Sequence, residues 1–108
     1  PRPISVPGMP AAATACTANT DFLTVTLPAN YPAQYLDIAC SFADAGVLTM
    51  RITRPDEAVQ SVPLNANANL TATAAHTFTY LVPGGSTVAF RYSANSTIRD
   101  FTVTRRVE

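Results

Sequence analysis

The feature that most constrains this chain is a series of short segments in which apolar and polar residues alternate, each closed by Pro, Gly or Asn. Leu48, Met50 and Ile52, for example, alternate with threonines and an arginine. A period of two predicts pleated strands with one buried face and one solvent-exposed face. Several such strands at close spacing predict a small all-β sandwich or barrel. The leading interpretation is a single antiparallel β-sandwich of jelly-roll type with seven or eight strands.

The alternation divides the chain into seven predicted strands. The apolar positions of these alternating strands predict a core made of Leu36, Ile38, Leu48, Met50, Ile52, Phe78, Phe90 and Phe101. Pro63 places the fourth strand at a sheet edge, because proline cannot donate a ladder hydrogen bond. Asp44-Ala45-Gly46 has the composition of a hairpin turn. The predicted strands cover residues 21–27, 34–42, 47–54, 58–64, 75–82, 86–93 and 98–107, with part of 69–74 as a further candidate.

The first 20 residues differ from the rest and are read as an extended N-terminal arm, followed by the sandwich domain at 21–108. Four prolines lie within the first ten residues, and alanines follow. Proline favours an extended path and cannot continue a helix. Residues 1–15 are therefore expected to make few contacts with their own domain, either as a disordered tail or as an arm along a neighbouring subunit, and the two are compatible because such arms often order only on assembly. Ile4, Val6 and Met9 are apolar enough to dock on a neighbouring subunit and too few to form a core.

Charge and composition exclude several classes of function. The formal net charge is zero, charged residues make up 13% of the chain, and lysine is absent. No basic field would attract nucleic acid or an anionic membrane, and no apolar run reaches the length of a membrane span. Schiff-base chemistry and a P-loop lysine are also excluded. A surface built from Thr, Ser and Asn is common on extracellular and particle-surface β proteins.

No group of residues predicts catalysis, so the chain is expected not to be an enzyme and to need no cofactor or metal. His76 is the only histidine, and a catalytic triad would need it beside a nucleophile and an acid. The acids Asp37 and Asp100 are read as cross-strand partners of Arg51, Arg91 or Arg99. Asn69-Leu70-Thr71 and Asn95-Ser96-Thr97 match the glycosylation sequon, which matters only in a eukaryotic secreted protein.

Two further sets of residues leave alternatives open. Cys16 and Cys40 are either buried free thiols or a disulfide, which would close a loop and imply assembly outside a reducing cytosol. The aromatic residues Phe22, Tyr31 and Tyr35 form either an exposed contact patch for another subunit or, for Phe22 and Tyr35, packing beneath the 28–33 loop.

One family resemblance rests on strand patterns. Ala45-Gly46-Val47-Leu48-Thr49-Met50-Arg51, then Val88-Ala89-Phe90-Arg91-Tyr92 and Phe101-Thr102-Val103-Thr104, resemble small β-sandwich virion proteins of tailed phages and prophages. That family includes head decoration and fibre-base domains, and its members have contact surfaces rather than active sites. The resemblance implies no functional residue, and Cys16 and Cys40 depart from the pattern.

The sequence therefore predicts a non-enzymatic structural protein on the surface of a virion or another extracellular particle. Its expected partners are further copies of itself and other capsid or tail subunits. The alternatives are an extracellular glycan-binding β-sandwich module and a subunit of an extracellular filament joined by donated strands. A small hydrolase is the least favoured.

Overall fold

A computed structural model of the chain describes residues 2–5, 13–29, 33–65 and 68–107, with the backbone alone at 2–5 and 107. The described residues are almost entirely strands and turns. They form nine strands: β1 Arg2–Ser5, β2 Thr14–Cys16, β3 Asp21–Thr26, β4 Ala33–Phe42, β5 Leu48–Thr53, β6 Gln60–Pro63, β7 His76–Pro83, β8 Thr87–Tyr92 and β9 Ser96–Val107.

The strands make two antiparallel sheets. One sheet has five strands in the order β1-β9-β4-β7, with β2 pairing beside β1 on the same side of β9. The other has four strands in the order β3-β8-β5-β6. Neighbouring strands along the chain mostly lie in different sheets, so most connections cross from one layer to the other.

The core lies between the two sheets, as a sandwich requires. The Phe42 ring of the five-stranded sheet stacks on the Tyr92 ring of the four-stranded sheet, with centroids 3.9 Å apart. Phe90 meets Phe101 across the same interface, edge to face at 5.2 Å. The alternation that predicted the strands thus places apolar side chains inward from both layers, and the all-β prediction is confirmed.

Seven of the eight predicted core residues are buried, and the eighth is half-buried. Phe90 is fully buried and Phe101 is 2% exposed. Phe78 is only half-buried because β7 is the last strand of its sheet, and no strand among the described residues covers its outer side. The fully or nearly buried members are Leu36, Ile38, Leu48, Met50, Ile52, Phe90 and Phe101.

The seven predicted strands correspond to β3–β9, with bounds that differ by at most two residues. Pro63 does end an edge strand, since β6 closes one side of the four-stranded sheet. The hairpin predicted at Asp44-Ala45-Gly46 is wrong. This turn joins β4 to β5, which belong to different sheets, because the buried faces of both strands must point toward a common core.

The N-terminal residues contribute two strands that the sequence did not predict. Arg2–Ser5 pairs with residues 104–107, and Thr14–Cys16 pairs with residues 96–98, all in β9. The expectation of few contacts with the same domain is therefore wrong for these two segments. Edge pairing depends on backbone hydrogen bonds, so it needs no large apolar side chains, and an edge strand tolerates Pro3.

Candidate interaction surfaces

The outer face of the five-stranded sheet carries a cluster of four side chains from three adjacent strands. Arg106 Nε donates to Asp37 Oδ2 at 2.5 Å, and Arg106 Nη2 donates to Asp37 Oδ1 at 3.2 Å. Thr79 Oγ1 donates to Asp37 Oδ1 at 2.9 Å. The Arg106 guanidinium also lies over the Tyr35 ring, 4.9 Å from its centroid. The hydrogen bonds from Arg106 lower the pKa of Asp37, whereas the partial burial of the Asp37 carboxyl raises it.

This cluster borders a shallow depression of about 200 Å³. Leu81 stands beside the cluster, opposite Tyr35 in the β4–β7 ladder, and is 50% exposed. Four of the eight residues that line the depression are threonines, so most of the surface beside the Asp37–Arg106 pair is uncharged and weakly polar. The depression is lined by Asp37, Ile38, Ala39, Thr77, Phe78, Thr79, Thr102 and Thr104.

The outer face of the four-stranded sheet has its own ion pairs. Arg91 Nε donates to Asp21 Oδ1 at 2.8 Å, and Arg51 Nη1 approaches Asp21 Oδ2 at 4.0 Å. All three side chains are about one-third exposed. Cross-strand ion pairing is thus present, but the partner expected for Asp37 was wrong. Asp37 pairs with Arg106 because the β4–β9 register brings this end of β9 beside it. Arg51 and Arg91 lie in the other sheet, and Arg99, near the start of β9, donates to the Thr73 carbonyl.

Phe22 and Tyr35, two of the residues predicted to form a contact patch, lie on different sides of the structure. Phe22 turns toward the core, where its ring meets Phe42 at 6.0 Å and Phe101 at 5.0 Å, both edge to face. The register of β3 shifts between Asp21 and Leu23, and this irregularity lets two successive residues point inward. Phe22 is therefore packed against the core and not part of an exposed patch, while residues 30–32 of the 28–33 loop lie outside the described residues.

Tyr35 is half-buried on the outer face of the five-stranded sheet, beneath the Arg106 guanidinium. Tyr31 lies outside the described residues, as do Val6 and Met9. Ile4 lies in β1, where its backbone is opposite Arg105. Sequence reasoning missed Arg106 and Leu81 as surface residues, because their place beside Tyr35 depends on pairing between strands far apart in the chain.

His76 has a structural partner. Its Nε2 accepts a hydrogen bond from the backbone N–H of Thr71 at 3.2 Å, and its ring stacks on Phe78 with centroids 6.4 Å apart. The imidazole therefore links the loop that precedes β7 to the first residues of that strand. This use of Nε2 requires the tautomer with the proton on Nδ1.

Cys16 and Cys40 are free thiols, 5% and 2% exposed. They lie on opposite sides of β9, with Cys16 facing Ser96 and Cys40 facing Phe101. Two strand spacings of about 4.8 Å and the offset along β9 separate their Cα atoms by more than the roughly 7 Å that a disulfide spans. Burial raises the pKa of both thiols, that of Cys40 to about 12, so neither is an activated nucleophile.

A buried glutamine at one end of the sandwich was not foreseen. The Gln34 side chain is fully buried, yet both of its ends are satisfied. Its Nε2 donates to the Pro28 carbonyl at 3.1 Å, and its Oε1 accepts from Arg105 Nη1 at 2.6 Å. The arrangement ties β4, β9 and the end of β3 together, which is a structural role.

Within the described parts of the chain, no three His, Cys, Asp or Glu side chains are grouped so that they could hold a metal ion. No helix in those parts has the length and apolar character of a membrane span. Comparisons with protein-family models, with curated proteins and with solved structures gave no match.

Proposed function

We propose that this chain is a non-enzymatic structural subunit of a larger particle: a jelly-roll domain that decorates or joins subunits of a virion of the tailed-phage or prophage type. It acts through its sheet faces and its N-terminal arm. Its partners are further copies of the chain and other capsid or tail subunits. Its place is the surface of the virion or of another extracellular particle.

The observation that carries this proposal is the nested pairing of the strands. β1 pairs with β9, β3 with β8, β4 with β7, and β5 with β6, while β9–β4 and β8–β5 contacts complete the two sheets. A folded ribbon of four such pairs has the order of a jelly roll, an architecture frequent in viral capsid and lectin domains. The weakly charged, threonine-rich outer faces suit repeated subunit contact more than recognition of one charged ligand.

The arm is proposed to link neighbouring subunits. Its strands β1 and β2 attach to β9 through backbone ladders. In the proposed exchange the same ladder forms with β9 of a neighbouring copy, which presents the same edge, and exchange of such a segment is a low-cost route to assembly. An arm used in this way also fits the filament alternative, in which donated strands join successive subunits.

The glycan-binding alternative has less support. A carbohydrate platform usually presents the flat face of an aromatic ring, and no aromatic side chain among the described residues is exposed. Tyr35 has the most suitable position, on the outer face of a sheet, but Arg106 covers its ring. The two thiols and His76, which an enzyme could use, are buried or engaged in structural contacts.

The proposal is tested by asking whether the chain is a regular component of a large particle. Material from the native source is separated on a density gradient, and the chain is traced through the fractions by quantitative mass spectrometry. We expect it to sediment with particles in a fixed ratio to their major protein. Recovery of the chain only in fractions of free, unassembled protein would overturn the proposal.

A further inference from the structure

The outer edge of β7 is the least protected strand edge in the described chain. β7 is eight residues long and ends the five-stranded sheet, with β4 as its ladder partner. No other strand in the described parts of the chain pairs with its outer side. Such an edge presents a row of backbone N–H and C=O groups that can pair with another strand.

The other edges carry features that discourage added strands. β6 is four residues long and ends in Pro63. β3 begins with Asp21 and has an irregular register in its first residues. The outer side of β9 is occupied by β1 and β2 of the same chain. β7, in contrast, has a regular register, its only proline is the last residue, and the sequence His76–Pro83 contains no Lys, Arg, Asp or Glu.

We propose that the free edge of β7 pairs antiparallel with β7 of a second copy, joining the two five-stranded sheets into one continuous sheet. The lack of charge favours a second copy as the occupant, because antiparallel pairing of two identical strands sets residues of the same short segment against each other, where charges of one sign would repel. The inference rests on the proposed function, since it names a surface through which copies associate.

The side-chain pattern restricts the register of this pairing. Thr77, Thr79 and Leu81 are exposed on the outer face, while Phe78 and Tyr80 are half-buried on the inner side. A slip of one residue would place threonines beside aromatic rings. In a register that keeps the faces continuous, the half-buried rings of one copy lie beside those of the other, and the pairing covers them.

The test places charge on the exposed side of β7. In the double variant Thr77→Lys/Leu81→Lys, any register that keeps the faces continuous brings lysines of the two copies close together. Thr77→Glu/Leu81→Glu does the same with negative charge. Two matched controls add the same charge elsewhere: Thr97→Lys/Thr102→Lys on β9 of the same sheet, and Thr24→Lys/Thr26→Lys on the β3 edge. All of these positions are exposed.

Association is measured by sedimentation velocity from about 1 to 200 µM, the range of weak specific complexes. We expect the purified chain to dimerise, and either β7 variant to weaken the dimer by about tenfold or more. Mixing the lysine and glutamate variants should restore the dimer, because opposite charges then face each other. Both controls should dimerise like the unmodified chain.

Four results would overturn the inference. The unmodified chain could remain monomeric throughout the range, or it could dimerise regardless of the β7 variants. The β3 control could dissociate the dimer, which would assign the interface to that edge. The β7 variants could dissociate it without rescue on mixing, which would mean that another segment, such as the arm of a second copy, pairs with β7. Cosedimentation of the chain with native particles tests the function separately and could hold in every one of these cases.

Discussion

The Cα of Gly46 lies against the ring of Tyr92, so close that a Cβ on Gly46 would be 2.8 Å from Tyr92 Cε2 and 2.9 Å from Cζ. The Tyr92 hydroxyl donates a hydrogen bond to the Asp44 carbonyl at 2.6 Å, and its ring stacks on Phe42. The tyrosine thereby fastens the turn between β4 and β5 to the end of β8. Glycine is required at position 46 by this close approach.

Gly46→Ala is therefore expected to lower the free energy of unfolding by about 1–3 kcal/mol, the usual cost of an overpacked core. Urea denaturation followed by circular dichroism measures the change. Ala45→Ser, at the exposed neighbouring position, is the control and should change stability by no more than about 0.5 kcal/mol. Equal stability of Gly46→Ala and the unmodified chain would show that the ring does not occupy this position.

Alkaline pH should destabilise the fold through Tyr92. Burial raises the pKa of its hydroxyl to about 12, whereas an unfolded chain ionises tyrosine near about 10. The folded state thus favours the protonated form, and this stabilisation is complete below about pH 10 and lost as the pH rises toward 12. The buried thiols also stabilise the fold in their protonated form, and this contribution is lost from about pH 8.5 upward, where unfolded cysteine ionises.

Tyr92→Phe separates these contributions. It should cost about 1–3 kcal/mol at neutral pH, because the Asp44 carbonyl loses its partner. It should also remove the part of the stability loss between about pH 10 and 12, while the part that begins near pH 8.5 remains. Urea denaturation at a series of pH values measures both effects. An unchanged slope above pH 10 in the variant would contradict the burial of this hydroxyl.

Acid pH should weaken the Asp37–Arg106 pair. Because the hydrogen bonds from Arg106 lower the pKa of Asp37, the pair stabilises the fold above about pH 3.9, where unfolded Asp is ionised, and this contribution is lost as the pH falls through the lower folded pKa. Both side chains are about one-third exposed, which limits the contribution to about 0.2–1 kcal/mol.

Asp37→Asn and Arg106→Gln should each remove this acid-dependent contribution, and the double variant should remove no more than either single variant. A double-mutant cycle at pH 7 and at pH 3 measures the coupling. Independent, additive effects of the two substitutions at pH 7 would show that the two side chains do not interact in solution.

Phe90 should be costly to truncate. It is fully buried and contacts Phe101 across the two sheets, so Phe90→Ala is expected to cost about 3–5 kcal/mol. Leu81→Ala, at a half-exposed position on β7, serves as the control and should cost about 0.5 kcal/mol or less. Thermal and urea denaturation compare the two. A small effect of Phe90→Ala would mean that the Phe90 side chain does not face the core.

Local sequence pattern predicted the strands with buried faces, because alternation directly reports which side chains leave water. The same pattern could not reveal β1 and β2, whose attachment to β9 depends on backbone pairing and carries little side-chain signal. It also could not distinguish a hairpin from a crossover at Asp44-Ala45-Gly46, since both need the same turn residues.

The candidate surfaces were harder to foresee than the fold. The Tyr35–Arg106 contact joins residues far apart in the chain and depends on the register between β4 and β9. Phe22 turns inward because of one irregularity in β3, which a strict period of two cannot anticipate. The alternation along each strand therefore predicted the core. The contacts between polar side chains depend instead on which strands pair and in which register.

The central claim, that this domain is a repeated subunit of a particle, is tested most directly by electron cryomicroscopy of native particles that contain the chain. The account predicts regularly spaced density, on the particle surface, for a two-sheet domain measuring 37 × 28 × 23 Å. Particles of defined structure that contain no such domain at repeated positions would contradict it.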